Sequence, residues 1–198
     1  MKLIAITTEL MQPDEWRAIT TLLEEGFDVV HLRKPTSTIS EVEGLLRQIP
    51  RYLHCRIALH DHFSLHNDYE IGGIHLNRRS PHPPCGYEGR VTTSCHSLEE
   101  VDAVSSEVEY MFLSPIYSSI SKSGYESNFS HEELLDGKKR GVINERVVAL
   151  GGVTPQNIDQ IKMYGFGGVA LLGYIWQDLQ RESLSRRTHE LLKIVKDK

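Results

Sequence analysis

Val147-Val148-Ala149-Leu150-Gly151-Gly152-Val153 and, further on, Gly167-Gly168-Val169-Ala170-Leu171-Leu172-Gly173 are short apolar runs that each stop at glycine. Between them, Pro155 to Tyr164 has helical apolar spacing and opens on a proline, which a first helical turn tolerates. Strand, glycine, helix, strand, glycine is the way a (β/α)8 barrel closes, and a phosphate commonly binds after its last two strands. Glycine suits that place because backbone N–H groups can reach an anion where no Cβ intervenes. Gly151, Gly152 and Gly173 are therefore candidate phosphate-binding positions.

Working outward, eight strand-like runs follow one another: Leu3–Thr7, Val29–Leu32, Arg56–His60, Gly73–Leu76, Val91–Cys95, Tyr110–Leu113, Val147–Leu150 and Gly168–Leu172. Helical patterns separate several of them. Trp16, Ile19, Leu22 and Leu23 follow Pro13-Asp14, and Val42, Leu45, Leu46 and Ile49 follow Ser40, which is expected to cap a helix. Another helix should start at Ser97-Leu98-Glu99-Glu100, and Leu184 to Val195 reads as a long amphipathic one. Asn67 to Ile71 leaves room only for a short turn. Alternating strands and helices imply a parallel sheet, and eight repeats imply closure, so the fold class is α/β: one (β/α)8 TIM-barrel domain over 1–198. The loops Asn77–Gly89 and Ser114–Ser130 follow strands and belong at the barrel mouth, where active sites lie.

Period-2 reading assigns faces. Val30 and Leu32, Ile57 and Leu59, and Ile74 and Leu76 should lie under the helices; His31 and Arg33, His60, His75, and Ser94 and His96 should point into the barrel. Four histidines on one face of four strand ends are a candidate site. Cys95 alternates toward the apolar face and reads as a buried thiol. Lys138-Lys139-Arg140 reads as a solvated loop, and Trp16 and Trp176 as helical residues packed on the barrel exterior.

The chain has 198 residues, with 22 basic and 27 acidic residues for a net charge of −5. That balance excludes a role centred on the nucleic-acid backbone. Cys55, Cys85 and Cys95 are odd in number and form no CxxC motif, so a reducing, cytoplasmic location is expected. No signal-peptide pattern opens the chain, and no apolar run approaches the ~20 residues of a membrane span.

Six segments, in register along nearly the whole chain, resemble the thiamine phosphate synthase and TenI family. Val30-His31-Leu32-Arg33-Lys34 resembles Q-L-R-E-K, Ala58-Leu59-His60-Asp61-His62 stands where N-D-R belongs, and Gly73-Ile74-His75-Leu76 resembles G-V-H-L. Ser94-Cys95-His96-Ser97-Leu98-Glu99-Glu100 resembles S-x-H-S-x-E-E. Leu113-Ser114-Pro115-Ile116-Tyr117 through Ser119, Ser121 and Lys122 resembles G-P-I-F-x-T-x-T-K, and Ala149-Leu150-Gly151-Gly152-Val153 resembles A-I-G-G-I. The resemblance implies coupling of hydroxymethylpyrimidine diphosphate to thiazole phosphate, with pyrophosphate released and Mg²⁺ as cofactor. It implies catalytic roles for Arg33, Lys122 and His96, and a metal ligand at Asp61. Substrate-binding positions would be His31, His60, His75, Ser94, Ser119, Ser121, Gly151, Gly152 and Gly173. Its partners would be small phosphorylated thiazole and pyrimidine substrates, with no nucleic acid and no membrane; a homo-oligomer stays open.

Departures cluster at the diphosphate end. Ser80 stands where the synthases carry a second Mg²⁺-binding aspartate; Pro35 stands on their lysine, with Lys34 one place early; His31 replaces a glutamine and His60 an asparagine. The TenI-type tautomerase reading, which needs an acid/base and no metal, meets Pro115 where the family's catalytic histidine belongs, with His31 or His96 as the residue to substitute for it. A silent thiazole-phosphate-binding barrel, a zinc hydrolase built on His31, His60 and His75, and a sugar-phosphate isomerase using Asp61 remain as rivals.

Overall fold

Eight parallel strands close on themselves in the order β1-β2-β3-β4-β5-β6-β7-β8 in the computed structural model, which describes residues 1–104, 106–118 and 128–196. They are β1 (Lys2–Ile6), β2 (Val29–Leu32), β3 (Ile57–Leu59), β4 (Gly73–His75), β5 (Arg90–Cys95), β6 (Tyr110–Leu113), β7 (Val147–Leu150) and β8 (Gly168–Leu171). The seam is β1 against β8, with Ile4 opposite Ala170. The helices are α1 (Glu15–Glu25), α2 (Ile39–Gln48), α3 (His66–Tyr69), α4 (Leu98–Val104), α5 (His131–Lys139), α6 (Ile158–Met163) and α7 (Arg181–Lys196). The expected short connection after β3 is one 3-10 turn, Phe63–Leu65, and the single turn of α3. Between β4 and β5 the chain makes a loop with no helix.

The alternation read from the strands matches the two cores. Val30, Leu32, Ile57, Leu59, Ile74 and Cys95 belong to the outer core, packed with helix residues such as Ala18, Ile19, Leu22 and Leu23. Ile4, Ile6, Val29, Ala58, Tyr110, Phe112, Val148 and Ala170 form a separate inner core that fills the barrel. Burial pushes the Cys95 thiol up to about 11, the behaviour of a packing residue rather than a nucleophile.

Local signals differ from expectation in three places. Thr38, not Ser40, caps α2: its hydroxyl accepts from the Glu41 N–H while the Glu41 carboxylate accepts from the Thr38 N–H. That reciprocal pair satisfies two otherwise unbonded donors, which a cap at Ser40 would leave open. Lys138 and Lys139 close the last turn of α5, started by the same kind of box between Ser130 and Glu133. Their charges suit the C-terminal end of a helix. Trp176 lies in a turn after β8 and donates its indole N–H to the Ile6 carbonyl at 2.6 Å.

The Lys34 side chain turns away from the barrel mouth. Its ammonium is buried and donates to Glu15 at 2.7 Å and to the carbonyls of Thr8 and Leu10, each at 2.8 Å, tying the β1–α1 loop to the end of β2. The one-residue offset from Arg33 sends the two side chains to different layers. Among the described residues no helix is long and apolar enough to cross a membrane.

Candidate active site

The carboxyl ends of the strands open into a cavity of about 710 Å³, walled by Ile6, Arg33, His60, His75, Asn77, Arg78, Arg79, Ser94, His96, Phe112, Leu150 and Leu172 among others. Inward alternation on and just after β2 to β5 delivers Arg33, His60, His75, Ser94 and His96, and the loop after β4 adds Asn77, Arg78 and Arg79.

Beneath the cavity the barrel holds a chain of hydrogen bonds. Tyr110 Oη lies 2.6 Å from His31 Nε2, and His31 Nδ1 lies 2.9 Å from His60 Nε2. His60 stacks on His75 with ring centroids 4.0 Å apart. The Thr92 hydroxyl donates to the Ile74 carbonyl, so toward His75 Nδ1, at 2.9 Å, it can only accept. His75 therefore carries its proton on Nδ1, and Nε2 accepts from the Ser94 hydroxyl at 3.0 Å. Burial, above all, holds His31 and His60 well below the usual imidazole range and pushes His75 down to about 3, with Arg33 adding its repulsion there. All three are neutral at physiological pH, and Ser94 directs its proton at His75.

His31, His60 and His75 do bring three nitrogens within 4.8 Å of one another, as the zinc reading required. Both nitrogens of His31 and both of His75, however, already have hydrogen-bond partners. A metal there would have to replace those bonds, so the geometry is that of a satisfied polar core. His96 stands apart at the rim and donates Nδ1–H to the Ser114 carbonyl at 2.9 Å.

The wall residue Arg79 is held by an ion pair. Asp61 Oδ1 accepts from Arg79 Nη2 at 2.8 Å and Nε at 3.1 Å, and Oδ2 accepts from the Lys34 backbone N–H at 3.2 Å. Arg79 itself sits in a tight turn closed by two backbone bonds between Asn77 and Ser80. Asn77 pins that turn, accepting from the Arg79 N–H and donating to the His60 carbonyl. On the adjoining strand Arg33 pairs with Glu9 at 2.7 Å. Magnesium wants several oxygens in near-octahedral array at 2.0–2.1 Å. Here the Asp61 carboxylate is already neutralised by a guanidinium, Ser80 supplies no charge, and the three-ligand cluster found among the described residues is made of imidazoles, a poor set for a hard cation. The residues present do not fit Mg²⁺.

Gly151 and Gly152 follow β7 at φ 95° and 63°, a left-handed backbone that favours glycine. Close packing adds a second reason. A Cβ on Gly152 would stand 2.6 Å from the Ser118 carbonyl and 2.7 Å from Tyr117 Cβ, and one on Gly151 would stand 2.8 Å from Pro115 Cα. The glycines thus let the loop after β6 lie against the end of β7. Gly173 follows the adjacent β8, and Leu150 and Leu172, one residue before these glycines, face the cavity.

Arg33, His60, His75, Ser94 and His96 line the one cavity, with His31 beneath it and Asp61 behind the wall residue Arg79. Ser119, Ser121 and Lys122 lie outside the described residues. Sequence reasoning missed Tyr110, Thr92 and Asn77. Tyr110 and Thr92 share the inward phase of β5 and β6, a signal that was present; Asn77 acts through a turn that no periodicity marks.

Residues 3–175 match the family model described as thiamine monophosphate synthase. A thiamine-phosphate synthase of Bacteroides thetaiotaomicron is 24% identical over 186 residues, covering 88% of this chain and 89% of its own. Among solved structures, a thiamine phosphate pyrophosphorylase from Bacteroides thetaiotaomicron superposes with a TM-score of 0.90 at 39% identity, covering 98% of both chains. One from Pyrococcus furiosus superposes at 0.77 with 20% identity, covering 98% of this chain and 95% of its own, a likeness of fold.

Proposed function

The chain belongs to the thiamine monophosphate synthase family, and from that premise we propose that it joins hydroxymethylpyrimidine diphosphate to thiazole phosphate in the cavity at the barrel mouth. The bond between the pyrimidine methylene carbon and the diphosphate oxygen breaks, and its electron pair leaves with pyrophosphate. The thiazole nitrogen lone pair then forms the new C–N bond. That nitrogen becomes quaternary, so no proton has to be removed.

What the protein must supply is positive charge at the leaving oxygens, a rigid seat for each substrate, and exclusion of water from a reactive cation. Arg33 and Arg79 stand on the cavity wall for the first task. Phe112, Leu150, Leu172 and the neutral stacked rings of His60 and His75 offer an apolar, uncharged floor for the pyrimidine. Thiazole phosphate is assigned to the glycine ends of β7 and β8, where Gly151 and Gly152 hold the left-handed backbone.

The observation that carries this reading is the burial of His31, His60 and His75 in a hydrogen-bond chain that leaves both nitrogens of His31 and of His75 engaged. A tautomerase needs a group that gains and loses a proton near neutral pH; burial holds His31, His60 and His75 below that range, His96 has its Nδ1–H committed to the Ser114 carbonyl at the rim, and Pro115 occupies the position of the tautomerase histidine. Coupling asks nothing of that kind. Incubation of the purified protein with both substrates should give thiamine phosphate and pyrophosphate in equal amounts, seen by mass spectrometry and a phosphate-coupled assay. Aromatisation of a thiazole carboxylate tautomer in place of coupling would overturn it.

A further inference from the structure

We propose that Arg79, held in place by Asp61, is the resident cation at the diphosphate end of the cavity and makes pyrophosphate binding independent of magnesium. The inference rests on the diphosphate being bound in this cavity, as proposed above, and goes beyond it by naming what neutralises the charge.

Three observations converge. The Asp61 carboxylate is engaged on both oxygens, by the Arg79 guanidinium and by the Lys34 backbone N–H, with its side chain only 12% exposed. A divalent ion would have to break an ion pair to gain a single carboxylate. Second, Arg79 is positioned rather than loose: the Asn77–Ser80 turn fixes its backbone, and Asn77 ties that turn to the His60 carbonyl at 2.6 Å. Third, the guanidinium faces the same cavity as Arg33 and Arg78. Nε and Nη2 are directed at Asp61, which leaves the N–H groups of Nη1 as the edge to offer a phosphate oxygen.

A planar guanidinium gives a phosphate charge-assisted hydrogen bonds of fixed geometry, and it carries its charge at every physiological pH. The carboxylate orients it, as a ligand orients a metal. The charge that a metal would import with the substrate is built into the chain.

Isothermal titration of the full-length protein with inorganic pyrophosphate, in EDTA and separately in excess Mg²⁺, tests this directly. Wild type should bind with a Kd that differs less than about threefold between the two. Arg79→Ala should weaken binding in EDTA by about tenfold to hundredfold, the size expected for losing charged hydrogen bonds. Mg²⁺ should then restore part of it through the Asp61 carboxylate, and an Arg79→Ala/Asp61→Ala double variant should lose that rescue. Wild-type binding that appears only with Mg²⁺, or Arg79→Ala binding equal to wild type in EDTA, would overturn the proposal. Circular dichroism of each variant checks that it is folded, and Arg79→Lys gives a second reading, since a point charge without the planar fork should bind more weakly than wild type in EDTA. Failure of the two readings is distinguishable: thiamine phosphate made only with Mg²⁺ refutes the resident cation and keeps the coupling. Metal-free, Arg79-dependent pyrophosphate binding without any coupling does the reverse.

Discussion

Single residues set the chemistry here. Arg33 leaves β2 on the inward phase, reaches the cavity, and pairs with Glu9 at its edge. If it stabilises the departing diphosphate, Arg33→Ala should lower kcat/KM for coupling by at least about a hundredfold, the scale of losing one preorganised electrostatic donor. Wild-type kinetics in that variant would remove it from the leaving-group site. Gly152 faces a different constraint. Valine there would require a left-handed backbone, costing roughly 1–2 kcal/mol, and would drive a side chain into the Ser118 carbonyl. Gly152→Val should therefore lower the urea midpoint and also weaken thiazole phosphate binding; unchanged affinity would place the phosphate elsewhere. Arg33 and the glycines were legible as residues, because strand phase and glycine runs are local patterns. The partnership of Asp61 with Arg79 was not, since eighteen positions and an irregular turn separate them.

Among elements, the junction of β1, α1 and β2 depends on Lys34 and Glu15, both buried and only about 1% exposed. Burial raises the Glu15 pKa and lowers that of Lys34, so each charge is tolerated chiefly because the other is present. Lys34→Met would strand the carboxylate and should cost about 3–5 kcal/mol in chemical denaturation. Adding Glu15→Leu should recover most of that loss. A single variant as stable as wild type would show that the pair contributes nothing. The position of Lys34 was readable from its register, one residue past the inward-facing Arg33, but its partner on α1 was not. The caps show the opposite case: Ser130 and Glu133 spell a capping box, a purely local signal for α5, yet the stretch after it reads as a basic loop when charge alone is weighed.

Over the whole molecule, the barrel is a sheet whose outside is oil and whose inside changes from apolar packing at one end to a histidine layer beneath the mouth. Period-2 alternation made that layering legible in advance for β2 through β5. The hydrogen bond from Tyr110 to His31 was not, because the two lie 79 positions apart and meet only through barrel closure. The layer has a consequence for pH. His31, His60 and His75 titrate below their ordinary value of 6.5 in the folded protein, while the unfolded chain takes up their protons near 6.5. Between pH 6.5 and about 3 the unfolded state thus binds more protons, so stability is full above that window and falls on acidification. Each histidine can add up to about 1.4 kcal/mol per pH unit to the slope. Urea unfolding at pH 7.5 and 5.5 should show a clear loss at the lower pH, reduced in a His31→Gln/His60→Asn variant; equal stabilities would mean the rings are protonated or exposed. At this same scale stands the central claim, that one cavity seats both halves of the coupling. A crystal structure with thiazole phosphate and pyrophosphate bound together tests it most directly. The monoester should lie against Gly151, Gly152 and Gly173, and the pyrophosphate between Arg33 and Arg79. Finding either anion outside the barrel mouth, or the two ends exchanged, would contradict it.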